Sequence, residues 1–110
     1  MSVPQLVKSE AWLAGWTLFR QEYYWEAHEV WEPVWLHLPP NSAERLVVRA
    51  CIQLANALLK EKMGWPKAAL RLRVEVLDLL ESVDPQRLGL SLDVNELIYM
   101  AQDTPKESEE

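Results

Sequence analysis

The sequence predicts an all-α fold: a compact array of four to five helices, built from two antiparallel helical hairpins plus a short C-terminal helix. Three observations carry this expectation. Apolar residues recur every three or four positions in each segment between prolines and glycines, the period of a helix with one buried face. No segment shows the sustained polar–apolar alternation of a half-buried strand. The connections are only a few residues long, which makes neighbouring helices pack antiparallel.

The elements follow in order. Residues 1–8 read as an N-terminal extension and residues 9–102 as a single helical domain. The first segment, Ser9–Glu22, has Ser9 as its N-cap and Trp12, Trp16 and Phe19 at helical spacing. The second, Tyr24–Leu36, ends before Pro39-Pro40. The third, Ser42–Met63, opens with Asn41 and Glu44 in capping-box spacing and stops at Gly64. The fourth runs from Pro66, at its first turn, to Ser82 before Asp84-Pro85. The fifth, Val94–Gln102, carries a second capping-box pair, Asp93 and Glu96. Residues 103–110, rich in glutamate, read as a disordered acidic tail.

Bulk properties exclude several function classes. A chain of 110 residues is one domain with room for a real core. The single cysteine, Cys51, rules out an internal disulfide and lies in an apolar run, which reads as a small core residue in a reducing compartment. A net charge of −6 opposes nucleic-acid binding and an anionic membrane surface. Met1-Ser-Val-Pro opens no basic n-region with an apolar stretch, so no signal peptide is expected. The run Leu46–Leu59 is broken by Arg49, Gln53 and Asn56 and cannot span a bilayer. A cytoplasmic protein is expected, with neither nucleic acid nor membrane as partner.

Eleven of the 14 residues in Leu46–Leu59 are apolar, so the third segment should be the central helix, buried nearly all round. Its polar exceptions Arg49, Gln53, Asn56 and Lys60 are spaced four, three and four apart, one stripe along one face. That stripe is either solvated or set against the acidic second segment, with Arg49 and Gln53 facing Glu26 or Glu29.

The densest chemistry lies in residues 23–35. Three carboxylates (Glu26, Glu29, Glu32), His28 and three of the six tryptophans fall within 13 residues. On a helix Glu22, Glu26 and Glu29 share one face, and Trp25, His28 and Glu32 share the adjacent one. His28-Glu29-x-x-Glu32 has a glutamate where the zinc-protease motif has its second histidine. His37 lies about 180° round the helix from His28. No cofactor is expected; if a divalent metal binds, His28, Glu29 and Glu32 are its ligands. Pro33 removes the hydrogen bond to the Glu29 carbonyl and favours a kink. No nucleophile motif or phosphate loop accompanies these residues.

Tyr24-Trp25-Glu26-Ala27-His28-Glu29-Val30-Trp31-Glu32-x-x-Trp35 resembles the Y-[FY]-E-x-H-E-x-x-E-x-x-W signature of domain of unknown function family 309. Ile52-Gln53-Leu54-Ala55-x-Ala57-Leu58, then Gly64 and Ala69-Leu70-Arg71-Leu72, is similar to the family's second, more generic motif. The resemblance spans roughly residues 13–82. It implies an all-helical fold, no established activity, and a functional cluster of Glu26, His28, Glu29, Glu32, Trp35 and Gln53, with Arg49, Asn56 and Lys60 as a supporting stripe. Two departures stand out. The family's usual glycine is Glu22 here, at the turn between the first two segments. The histidine that some members carry near Lys60 is missing, so a site needing that imidazole would be incomplete.

The reading that follows is a non-catalytic helical module that binds or self-associates, with a Glu/His network opening into a small cleft. Trp25 and Trp65 are the expected exposed aromatics, through which a homo-oligomer or protein partner would dock. The alternative is a metal-binding or metal-dependent hydrolase-like protein using His28 and the neighbouring glutamates.

Overall fold

The computed structural model describes residues 9–88 and 92–102. Among them are five α-helices: α1 (Glu10–Arg20), α2 (Tyr24–His37), α3 (Ala43–Lys62), α4 (Pro66–Glu81) and α5 (Val94–Gln102), with a 3₁₀ turn at Pro85–Arg87. No strand occurs among the described residues. The expected extension (1–8) and acidic tail (103–110) lie outside them.

Several helix ends fall where local chemistry dictates. The Ser9 hydroxyl accepts from the Trp12 N–H at 3.4 Å, and Pro66 supplies its fixed φ at the start of α4. One cap differs from the expectation. The N-cap of α3 is Ser42 rather than Asn41: its hydroxyl accepts from Arg45 N–H at 3.1 Å and donates to the Pro39 carbonyl at 2.8 Å. A hydroxyl bonded on both sides competes better for this position than the Asn41 amide one residue earlier.

Both hairpin turns close as Schellman motifs. After α3, Gly64 takes φ +80, its N–H reaches the Glu61 carbonyl, and the Trp65 N–H reaches Lys60 at 2.9 Å. After α1 the same pattern forms around Glu22, with φ +67, Glu22 N–H on Phe19 and Tyr23 N–H on Leu18. Glu22 adopts the left-handed conformation, at a cost of about 1 kcal/mol relative to glycine, and its carboxylate meets Lys62 at 3.3 Å.

Helix α3 is the central element. It packs against α2 on one side and α4 on the other, and touches α5. No residue from Ser42 to Glu61 is exposed. Val47, Val48, Cys51, Leu54 and Ala55 are fully buried. The Cys51 thiol is pushed up from 9.0 by burial alone, so it is a core group and not a poised nucleophile.

Two contacts fix the outer helices. Trp31 of α2 is completely buried. Its indole N–H donates to the Trp12 carbonyl at 3.2 Å, and its ring meets Trp12, Trp16 and Phe19 with centroids 4.8–6.0 Å away. The slot exists because position 15 is glycine: a Cβ there would overlap the Trp31 indole. On the other flank, buried Arg73 of α4 makes a two-pronged ion pair with Glu61 of α3 (Nη2 to Oε2, 2.9 Å). Its Nη1 donates to the Met100 and Ala101 carbonyls at the end of α5. A cation there complements the negative end of the helix dipole.

Gly15→Ala is expected to destabilise the fold by about 2 kcal/mol or more through overpacking, although Gly→Ala ordinarily stabilises a helix interior. Chemical denaturation reads the sign. Arg73→Met should cost about 3 kcal/mol, because Glu61, only 14% exposed, would be left without its partner. Replacing both Glu61 and Arg73 with apolar residues should recover much of that loss.

Candidate functional site

Turning Trp31 into the α1 interface sets the rotation of α2. Residues three before and four after it, His28 and Trp35, then fall on the side that meets α3. There a cleft of about 210 Å³ opens, lined by His28, Glu32, Trp35, Arg49, Ile52, Gln53 and Asn56.

On the α2 wall, His28 Nε2–H donates to Glu32 Oε2 at 2.9 Å, one helical turn away. The imidazole is mostly covered (18% exposed) while Glu32 is half exposed. Trp25 packs edge-on against the imidazole at 5.2 Å. His28 Nδ1 is buried without a hydrogen-bond partner. On the α3 wall, Asn56 donates to Gln53 Oε1 at 2.8 Å, and Gln53 donates to Glu75 Oε2 of α4 at 2.7 Å. Arg49 reaches the same Glu75 oxygen at a longer 3.4 Å. The guanidinium carbons of Arg45 and Arg49 lie 4.6 and 5.4 Å from the Trp35 ring centre, within cation–π range. Arg45 also donates to the Leu38 carbonyl just past α2 at 3.2 Å.

The structure thus brings together four of the six cluster residues, His28, Glu32, Trp35 and Gln53, with Arg49 and Asn56 of the stripe. Glu26 and Glu29 are exposed and outside the cleft. Lys60 lies further along α3, its ammonium 4.7 Å from the Trp65 ring centre. The stripe does line the cleft that α2 borders, but its acidic partner is Glu75 of α4, not Glu26 or Glu29. His28 and Glu32 meet, yet Glu29 does not join them. Among the described residues no three His, Cys, Asp or Glu side chains are placed to hold one metal ion. Helix α2 continues through Pro33, and His37 turns back to donate Nδ1–H to the Pro33 carbonyl at 2.7 Å. Trp25 and Trp65 are each about half exposed (52% and 50%).

Sequence reasoning misses two residues and one groove. In the sequence Glu75 is only one of several acids on the fourth segment, yet it joins Arg49 and Gln53 across the α3–α4 contact. Arg73 sits at an inward position of α4, in register with Ala69, Val76 and Leu80, and that register is its signal. A larger groove of about 370 Å³ lies between α1 and α5, floored by Trp12, Trp16, Phe19, Leu97 and Met100. It holds none of the predicted site residues.

The fold and site define a small helical array with a polar cleft built mainly on its second and third helices. Residues 12–72 match the model of the family described as Domain of unknown function (DUF309), and the chain belongs to that family. It is also similar to the crystal structure of a conserved hypothetical protein, TTHA0068, from Thermus thermophilus. Identity is 33% and the TM-score 0.69, over 83% of this chain and 90% of that one. No curated protein matches the sequence. No described helix is long and apolar enough to cross a membrane.

Glu32 is half exposed, whereas Ile52 in the same lining belongs to the buried core. Glu32→Gln should cost only a few tenths of a kcal/mol, because half-exposed i,i+4 pairs contribute little. Trp31→Ala should cost about 3–5 kcal/mol. Comparable losses for the two variants in thermal or urea melts would show that the His28–Glu32 pair holds the fold.

Proposed function

We propose that this protein is a non-catalytic binding module whose ligand site is the cleft between α2 and α3. One observation carries the reading: charged and amide side chains from two helices, His28 and Glu32 of α2 with Arg49, Gln53 and Asn56 of α3, converge on one cleft. The fold is held by Trp31 in its glycine slot and by Arg73 on Glu61. The cleft side chains are instead held ready by His28–Glu32 and by the Asn56–Gln53–Glu75 chain. Fixed donors and acceptors around a small concavity are what a selective site needs, since ordering them beforehand reduces the entropy lost on binding.

The cleft offers one imidazole and one carboxylate in contact. It adds a guanidinium, two amides and an indole, none of which is a nucleophile activated by a base. Binding without turnover suits that set better than hydrolysis does. A metal reading would need ligands beyond His28 and Glu32, and Glu29 is directed elsewhere.

A thermal-shift screen of small polar metabolites tests this, followed by proton–nitrogen NMR of the hits. The expected result is a ligand that raises the melting temperature and perturbs the signals of His28, Arg49, Gln53 and Asn56. At a hundredfold excess over Kd the gain is about 2.7 kcal/mol. The ligand's own spectrum should stay unchanged after prolonged incubation. Conversion of the ligand would establish catalysis instead, and hits mapping only to the α1–α5 groove would move the site away from the cleft.

A further inference from the structure

The cleft presents opposite charges on its two walls that do not neutralise each other. Glu32 is tied to His28 within α2, and Arg49 is tied to Glu75 on α4. Both line the cleft, yet no ion pair joins Glu32 to Arg49. Neither charge is fully used. Glu32 gives one oxygen, Oε2, to His28, and Arg49 gives one nitrogen, Nη2, to a 3.4 Å contact. A carboxylate has about four acceptor positions and a guanidinium five N–H donors, so both retain capacity for a ligand.

From this arrangement, and resting on the cleft being the binding site, we propose that the ligand is a small zwitterion of the α-amino acid class. Its ammonium would meet Glu32 and its carboxylate would meet Arg49, with the amides of Gln53 and Asn56 alongside. A simple anion entering the cleft would face Glu32, and a simple cation would face Arg49. A molecule carrying both charges satisfies both walls. Size agrees: about 210 Å³ is room for on the order of seven waters, which suits an amino acid. A zwitterion has no net charge, so the chain's −6 does not repel it.

The test uses the full chain. The twenty standard L-amino acids are first ranked by thermal shift. For the best one, calorimetry then compares the amino acid with its decarboxylated amine and its deaminated acid. Both analogues should bind at least about tenfold more weakly, as should the intact amino acid to Glu32→Gln and to Arg49→Met, since each removes a hydrogen-bonded charge contact. Both substitutions fall on partly exposed positions, so the variants should fold, and unchanged far-ultraviolet dichroism checks that they do. If either analogue matches the amino acid, or no amino acid shifts the wild type, the zwitterion assignment is overturned. A different probe, such as inorganic phosphate, whose shift disappears in Arg49→Met would then leave the cleft standing as a site. Amino-acid binding undiminished in both variants would overturn the assignment and the cleft together.

Discussion

Everything on the α1–α2 side depends on one indole in one slot. Trp31 can be fully buried only because Gly15 carries no side chain where the helices cross. Its N–H cannot be left unsatisfied there, since an unpaired buried donor costs about 1–3 kcal/mol; the Trp12 carbonyl accepts it. Steric fit and hydrogen bond together allow one rotation of α2. That rotation turns His28, Glu32 and Trp35 towards α3 and leaves Glu26 and Glu29 in solvent. The cleft is thus a consequence of the core contact made by the neighbouring face of the same helix.

The second constraint is the absence of exposed positions along most of α3. A helix covered on nearly all sides must either lack polar side chains or find partners for them. Arg49, Gln53 and Asn56 find them in Glu75, in one another, and in the face of Trp35. The arrangement leaves spare hydrogen-bonding capacity along a narrow concavity. Arg73 solves a different problem. It gives α5, a helix of only nine residues, an anchor that so short a segment could not provide alone.

Much of the fold was legible because local chemistry and global packing agree. Ser9, Pro39-Pro40, Gly64 and Pro66 mark helix ends by mechanisms that act within a few residues, and the ends fall there. The central place of α3 followed from its apolar run, and the exposure of Trp25 and Trp65 from an excess of tryptophan over core volume. Resemblance to the family sharpened the choice of cluster residues, of which four line the cleft. The partners were less legible. Helical spacing put His28 and Glu32 on one face, yet equally allowed groupings with Glu26 and Glu29; the choice depends on the rotation set by Trp31, a contact 19 residues away in sequence from its acceptor. Arg49 had acids available on both neighbouring helices, and only tertiary packing selects Glu75. Gly15 and Arg73 each left a trace as the odd residue in an inward-facing stripe, glycine among aromatics and arginine among aliphatics.

The most direct measurement is hydrogen exchange at the tryptophan indole N–H groups, followed by nitrogen-edited NMR in the unmodified protein. If Trp31 anchors α2 as described, its indole N–H should exchange only through global unfolding, with a protection matching the full stability of the domain. Trp25 and Trp65, about half exposed, should exchange orders of magnitude faster. Trp31 exchanging as fast as those two would mean that the slot opens freely, and the rotation of α2 would need another cause.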